Sequence, residues 1–317
     1  MSQFPVFTRT TVRSIVNLSK NHPVYRVTMI NGKEFVAKAD KAGGMGGDAS
    51  KIAKFDSKLM GQVSSNTNIE VMTKAEIADM LLCMGMVDPP DQRMLFKENV
   101  SSPQMFWYKM PMLSVTTVQD MYDADEAALL RKVFKDTRAL KKLGKIAAVD
   151  LFIGNTDRFT SAGDVANPGN IFFAKKRGLL RKTTFTPIGL DFWDGFKDDM
   201  NLTLTESRWE HLRRTQSADT VNFLEDDFKR RITTLNSFAA MLDFAENTMS
   251  SMSADLQRAG VEGIDVGKSK YKESMAKGML EGADGLKKFL LQMIKKKGGM
   301  GAVPPGALYR MQLLRWV

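Results

Sequence analysis

Residues 149–170 have the sequence VDLFIGNTDRFTSAGDVANPGN, in which an apolar run ends at Gly154 and Asn155. Asp157 and Arg158 follow this pair directly, and Asn170 stands where a new apolar run begins. Glycine and asparagine end helices and favour turns, so we expect a buried helix to deliver Asp157 into a loop. The stretch therefore predicts a polar loop held between a helix and a strand.

A second polar residue lies at the end of a predicted strand farther along the chain. Strands are expected at 170–174 and 183–190, and Asp191 follows the second of them. Asn170 and Asp191 can meet across such a hairpin and hold Mg²⁺, which takes carboxylate and amide oxygens. Asp157, on the loop before the hairpin, can orient or accept the proton of a hydroxyl group.

The first forty residues predict a small sheet. Residues 11–16, 24–30 and 33–39 are rich in β-branched side chains, and Asn31-Gly32 is a strong hairpin signal. Lys38 ends the third of these strands after Phe-Val-Ala. A lysine in this position can bind the α- and β-phosphates of ATP.

A helix is expected over 69–84, closed by Gly85 and a Pro-Pro pair. In a phosphotransferase a glutamate on such a helix orients the phosphate-binding lysine. Glu76 and Glu70 are both candidates for this role toward Lys38, and we favour Glu76.

Further strands are expected at 94–96 and 105–110, with a connection to the next domain directly after them. Met110 and Met112 flank this connection. Adenine binds against apolar side chains and backbone groups, so both methionines are candidate nucleotide contacts.

The order of these elements predicts an α+β chain with two lobes. A small β-rich N-lobe is expected over 1–110 and a larger, mostly helical C-lobe over 111–317. Helical spacing begins near Thr117 and is clearest at 125–134 and 137–152.

The candidate loop carries a specific resemblance. Residues 154–158 (GNTDR) followed by 167–170 (NPGN) resemble the catalytic loop of the actin-fragmin-kinase-like group. That group is related to HipA-type kinases and phosphoinositide 3/4-kinases within the protein-kinase-like superfamily. The resemblance implies that Asp157 is the catalytic aspartate, that Asn170 and Asp191 hold Mg²⁺, and that Lys38 binds ATP. It also implies phosphorylation of serine or threonine in a protein.

The spacing within this loop points to the atypical branch of that superfamily. Ordinary protein kinases place the asparagine five residues after the aspartate. Here the separation from Asp157 to Asn170 is 13 positions, with residues 159–168 inserted. An insert of this kind is expected in the atypical group.

Two departures leave other functions open. Asp191 is followed by Phe-Trp instead of Phe-Gly, and residues 18–24, expected to cover the phosphates, contain no glycine. Backbone amides at 19–21, or Lys20 itself, could replace a glycine-rich loop. The alternatives are a lipid or small-molecule kinase, an enzyme that transfers AMP, and a nucleotide-binding pseudokinase scaffold.

Composition excludes several other classes of protein. The 317 residues are 43% hydrophobic, and Cys83 is the one cysteine, which excludes a disulfide framework and a cysteine-rich metal site. His22 and His211 are the two histidines, and neither has the context of a catalytic base. No apolar run approaches the roughly 20 residues of a membrane span, so a cytoplasmic location is expected. The same features are compatible with export by a secretion system that leaves no cleavable signal.

The formal net charge of +10 predicts attraction to an anionic partner. Residues 269–297 alternate apolar and lysine-rich positions, as helices that contact anionic membranes or partner proteins do. The more ordinary interpretation is a helix that packs on its lobe with its lysines in water. No nucleic-acid-binding module is recognisable, so no nucleic acid is expected as a partner.

Overall fold

The chain forms two compact units with an α+β composition. The first contains the described residues up to Lys58 and those at 68–113. The second contains Leu59–Ser65 and the described residues from Ser114 to Val317. The computed structural model describes residues 4–19, 22–41, 49–65, 68–123, 126–177, 183–190, 205–296, 299, 301 and 303–317.

The first unit is built on a mixed six-stranded sheet. Its strands run in the order β4-β6-β3-β2-β1-β5, and the β1–β5 pair is parallel while the other neighbours are antiparallel. Gly32, at φ 79°, lies in the β2–β3 turn and confirms the predicted hairpin. The strands are β1 (Val12–Asn17), β2 (Val24–Met29), β3 (Glu34–Lys41), β4 (Glu70–Val71), β5 (Val87–Asp88) and β6 (Met105–Pro111).

The helices of this unit differ from those expected. The helix expected over 69–84 is shorter, because Glu70–Val71 pairs with β6 and Thr73 caps α2 (Lys74–Leu82). The strand expected at 94–96 is wrong: these residues lie in α3 (Arg93–Ser101), whose buried Phe96 and Val100 have helical spacing. An unexpected helix, α1 (Ala49–Met60), follows β3.

One face of the sheet carries the core of the first unit. Tyr25, Phe35 and Trp107 are almost completely buried there. The amino-terminal segment closes this core, because the rings of Phe4 and Phe7 each contact Phe35 edge-on at 6.4 Å between centroids.

The second unit joins a small sheet to a larger set of helices. Its antiparallel sheet has the order β7-β8-β9, with β7 (Val115–Thr117), β8 (Phe172–Arg177) and β9 (Thr183–Ile188). The helices are α4 (Val118–Asp123), α5 (Ala127–Phe134), α6 (Thr137–Ile153), α7 (Glu206–Thr215), α8 (Ala218–Asn236), α9 (Phe238–Arg258), α10 (Ser269–Lys296) and α11 (Pro305–Leu313).

Helices α6 and α10 form the centre of the second unit and approach each other at glycines. A Cβ atom on Gly278 of α10 would lie 1.9 Å from the backbone oxygen of Lys141, and one on Gly144 of α6 would lie 2.0 Å from that of Met275. The apolar side of α10 is therefore buried, with Met275 and Leu286 at 0% exposure. Among the described residues, no helix has the length and hydrophobicity needed to cross a bilayer.

Candidate active site

The candidate loop begins where α6 ends. Gly154 adopts a left-handed conformation at φ 89°, which glycine accepts without strain, and its amide donates to the backbone oxygen of Asp150 at 2.8 Å. The Asn155 side chain donates to Asp150 Oδ1 at 3.2 Å and accepts from the amide of Asp157 at 3.0 Å. The turn predicted at Gly154-Asn155 thus holds the backbone of Asp157.

Arg158 joins three segments that are distant in sequence. Its side chain is 1% exposed, and Nη1 pairs with Asp150 Oδ2 at the end of α6. Nε donates to the backbone oxygen of Asn170 at 2.9 Å, and Nη2 donates to that of Leu190. The planar guanidinium group suits this task because it offers several donors in fixed directions.

The ion pair of Arg158 and Asp150 is buried on both sides. Burial raises the pKa of Asp150, and Arg158 and Asn155 oppose that rise by binding the charged form. A guanidinium group stays protonated in proteins, so loss of either partner would leave a buried group without its counterpart.

The contacts of Arg158 bring Asp157 and Asn170 together. Asn170 Nδ2 donates to the backbone oxygen of Asp157 at 3.4 Å, and both side chains are half-buried. Leu190 directly precedes Asp191, which lies outside the described residues. Of the three polar residues predicted to meet, the structure therefore brings two together.

The insert between Asp157 and Asn170 is folded against α9. Thr248 Oγ1 donates to the backbone oxygen of Gly163 at 2.6 Å, and Asn247 Nδ2 donates to that of Ala162 at 2.8 Å. A Cβ atom at Gly163 would lie 2.3 Å from the backbone oxygen of Phe244. Sequence reasoning identified the insert but missed its support on α9, since nothing in the pattern of α9 signals it.

Lys38 lies on β3 in the first unit, on the sheet face opposite the core. Its register partner is Tyr108 on β6, and its Nζ lies 3.4 Å from Asp40 Oδ2, which also accepts from Tyr108 Oη at 2.7 Å. The Lys38 side chain is 12% exposed. Lys38 is therefore a mostly buried cation that pairs with Asp40, and its binding of ATP stays a prediction.

Glu76 binds Lys109, and the structure does not bring it to Lys38. Glu76 Oε1 lies 2.8 Å from Lys109 Nζ, and Oε2 accepts from the amide of Thr73 at 3.0 Å. Lys109 is opposite Ala37 in the register, so its side chain points to the other face of the sheet from Lys38. The prediction that Glu76 orients Lys38 is corrected for this reason.

The Glu76–Lys109 pair ties the amino-terminal segment to the sheet. Glu70 Oε1 also lies 2.8 Å from Lys109 Nζ, which donates to the backbone oxygen of Pro5 at 3.4 Å. The amide of Phe7 donates to Glu76 Oε1 at 3.1 Å. Burial alone would raise the pKa of Glu76, but these donors outweigh it, and the pKa lies below its ordinary value.

The two candidate adenine contacts lie at the end of β6. Met110 is opposite Val36 in the register and shares the sheet face of Lys38, whereas Met112 follows the strand and is 36% exposed. Met110 thus stands on the same surface as the candidate phosphate-binding lysine.

Some backbone amides of the glycine-free segment at 18–24 already donate hydrogen bonds to nearby side chains. The Ser19 amide donates to Asn17 Oδ1 at 3.0 Å, and the His22 amide donates to Ser19 Oγ at 3.2 Å. Lys20 and Asn21 lie outside the described residues. The Ser19 amide, one of the groups expected to replace a glycine-rich loop, already has a side-chain partner.

The donor set around Asp157 suits a hard cation. The carboxylate of Asp157 and the amide oxygen of Asn170 are ligand types that Mg²⁺ takes. Within the described ranges, no three histidine, cysteine, aspartate or glutamate side chains cluster as a metal site. Asn170 would thus offer its amide oxygen to such an ion, its predicted partner Asp191 lies outside the described residues, and Asp157 stands beside it as the predicted proton acceptor.

Comparison with known proteins gave no further assignment. No family model, curated protein or solved structure matches the chain.

Proposed function

We propose that the chain is an ATP-dependent phosphotransferase that acts on a serine or threonine hydroxyl of a protein. The observation that carries the proposal is the triple contact of Arg158, which holds the backbones of Asn170 and Leu190 beside the end of α6. A loop that serves only as a connection does not need a fully buried arginine to fix its geometry. Positioning is what phosphoryl transfer requires most from the protein.

Each residue of the site has a defined part in this proposal. Asp157 orients the acceptor hydroxyl and takes up its proton, while Asn170 and Asp191 offer oxygens to Mg²⁺. Lys38 binds the α- and β-phosphates, and Met110 contacts the adenine. ATP supplies the transferred group, and Mg²⁺ neutralises its charge when bound.

The proposed fold is of the protein-kinase-like type. Lys38 belongs to a sheet-based unit, and Asp157 and Asn170 belong to a mostly helical one. This division of the residues agrees with a β-rich N-lobe and a helical C-lobe, and it supports the proposed assignment without identifying the acceptor.

A labelling experiment tests the proposal. The wild-type chain and the Asp157→Asn variant are incubated with Mg²⁺ and ATP carrying label at the γ or the α position, with a cell lysate as acceptor. We expect transfer of the γ label by the wild type and a loss of about 100-fold or more in the variant, as for removal of a catalytic base. Asp164→Asn, in the exposed part of the same insert, is the matched control and should retain activity.

The same experiment separates the alternatives. Incorporation of the α label alone would identify nucleotidyl transfer, and equal activity of Asp157→Asn and wild type would refute the assigned role. Transfer to lipid extracts instead of proteins would indicate a lipid kinase.

A non-enzymatic scaffold is the second candidate, favoured by the glycine-free segment at 18–24. The Ser19 amide there is engaged by Asn17, which reduces the donors available to phosphate. A scaffold would show a thermal shift with Mg²⁺ and ATP but no label transfer, and Asp157→Asn would leave the shift unchanged.

A further inference from the structure

A cavity of about 540 Å³ lies in the second unit beside the insert. It opens between α4, the end of the insert and the carboxyl end of α9. Its lining includes Gln119, Tyr122, Ala166, Pro168, Asp255 and Arg258. Ala166 and Pro168 belong to the insert of the candidate loop, and the other four lie on α4 and α9, outside the candidate active site.

The lining of the cavity contains a mostly buried carboxylate that is paired with an exposed guanidinium group. The Asp255 side chain is 15% exposed and pairs with Arg258, whose side chain is 78% exposed. The Nε2 of Gln119 donates to Asp123 Oδ1 at 2.8 Å, which brings a second carboxylate close to the rim. The carboxyl end of α9, which ends at Arg258, adds the negative end of a helix dipole.

Tyr122 lines the cavity together with Asp255. Burial raises the pKa of the Tyr122 hydroxyl, and the negative charge of Asp255 raises it further. Within the described part of the chain, that hydroxyl is buried and has no hydrogen-bond partner. A carboxylate next to an aromatic ring is an environment that binds guanidinium groups, by paired hydrogen bonds and by contact with the ring.

We propose that this cavity binds an arginine side chain of the acceptor protein, whose guanidinium group replaces that of Arg258 on Asp255. The inference rests on the proposed function and names a feature of its substrate. Arg258 already makes the same kind of contact, and because its side chain is mostly exposed, water can take over its guanidinium group when another one binds Asp255. The overall positive charge opposes this binding weakly, because salt screens charges beyond about 8 Å.

The position of the cavity fixes where the arginine lies in the acceptor. The amide of Ala166, in the cavity wall, donates to the backbone oxygen of Arg158 at 3.1 Å, and Arg158 is adjacent to Asp157. Ala166, on one side of the cavity, is therefore on the order of 10 Å from Asp157, which an extended peptide spans in about three residues. The arginine is accordingly expected about three residues from the phosphorylated serine or threonine.

A binding experiment tests the cavity without depending on catalysis. Two labelled peptides contain one serine and, about three residues away, either arginine or citrulline, which has the same shape but no charge. Fluorescence anisotropy is measured with the full chain, with and without ATP and Mg²⁺. We expect the arginine peptide to bind about tenfold more tightly or better, as for charge-assisted hydrogen bonds.

Three variants show where the arginine binds. Asp255→Asn should abolish the preference for arginine over citrulline. Arg258→Gln should strengthen binding of the arginine peptide, because the competing guanidinium group is gone. Glu273→Gln removes one partner of an exposed pair on α10 and should change neither affinity. Thermal unfolding confirms that each variant is folded.

The outcomes separate this proposal from the proposed function. Equal binding of both peptides, or an unchanged preference in Asp255→Asn, would overturn the proposed cavity even if label transfer occurs. Selective binding that depends on Asp255, without any label transfer, would support the cavity and reject the phosphotransferase.

Discussion

Arg158 fixes the geometry of the candidate site more than the residues that are assigned to the chemistry of phosphoryl transfer. The sequence drew attention to it only as the neighbour of Asp157. Its three acceptors belong to Asp150, Asn170 and Leu190, and the first and last of these are 40 positions apart in the sequence. Local pattern predicts the turn that precedes Arg158, but it cannot predict contacts that only folding creates.

Lys38 and Lys109, both in the first unit, show a different limit of prediction from sequence. Glu76 and Glu70 were the two candidate partners of Lys38, and the structure pairs both of them with Lys109 instead. Neighbouring residues of a strand point to opposite faces, and Ala37 opposite Lys109 fixes the register that decides the matter. That register depends on β6, far along the chain.

We predict that Glu76 stabilises the first unit in a pH-dependent way. Its folded-state pKa is below the ordinary value of 4.5, so its contribution is complete above pH 4.5 and is lost as pH falls through the lower value. Glu76→Gln should lower the free energy of unfolding by about 1–3 kcal/mol at neutral pH. Urea unfolding of variant and wild type should give curves that converge in acid.

Glu98→Gln, on the exposed side of α3, is the control and should follow the wild type at every pH. A Glu76→Gln variant whose deficit stays constant down to acid would contradict the assigned protonation.

At the level of elements, the strands and helices with clear periodicity were predictable, and those with short or interrupted patterns were not. The β2–β3 hairpin and α6 follow directly from Asn31-Gly32 and from helical spacing. Helix α1 was missed, because it begins two residues beyond a glycine-rich sequence at 43–47 that breaks the pattern. The support of the insert by α9 depends on tertiary contacts alone.

The close packing of α6 and α10 leads to an element-scale prediction. Gly278→Ala should destabilise the chain by about 1–3 kcal/mol, because its Cβ would lie 1.9 Å from the backbone oxygen of Lys141. Gly285→Ala, on the same helix with no neighbouring atom within 4 Å, is the matched control. It should stabilise by about 0.5–1 kcal/mol, as alanine does in a helix. Thermal unfolding measures both, and equal effects would contradict the packing.

At the scale of the whole molecule, the burial of its apolar side limits α10 to electrostatic contact with an anionic partner. The predicted amphipathic helix exists over Ser269–Lys296, and its apolar side is packed inside the second unit. Its lysines remain as surface charge, in line with the ordinary interpretation of this pattern. Contact with an anionic partner stays a prediction, and its basis is now electrostatic alone.

We predict salt-sensitive attraction to anionic surfaces without insertion. The chain, with a formal charge of +10, should bind phosphatidylserine vesicles at low salt and be released by about 0.5 M salt, where charges are strongly screened. Lys295→Gln combined with Lys296→Gln should weaken sedimentation with vesicles, and Lys33→Gln on the β2–β3 turn should have less effect. Binding that survives high salt would show that apolar side chains enter the bilayer.

The ties between the amino-terminal segment and Lys109 have a consequence for how the chain is made. Pro5 receives its bond from a residue 104 positions later, and Phe7 donates to one 69 positions later. At about 5–20 residues per second, ribosomal synthesis delays the first of these contacts by roughly 5–20 s. The nascent chain therefore lacks both bonds through most of the synthesis of its first unit, a period in which a chaperone can hold the apolar segment that contains Phe4 and Phe7.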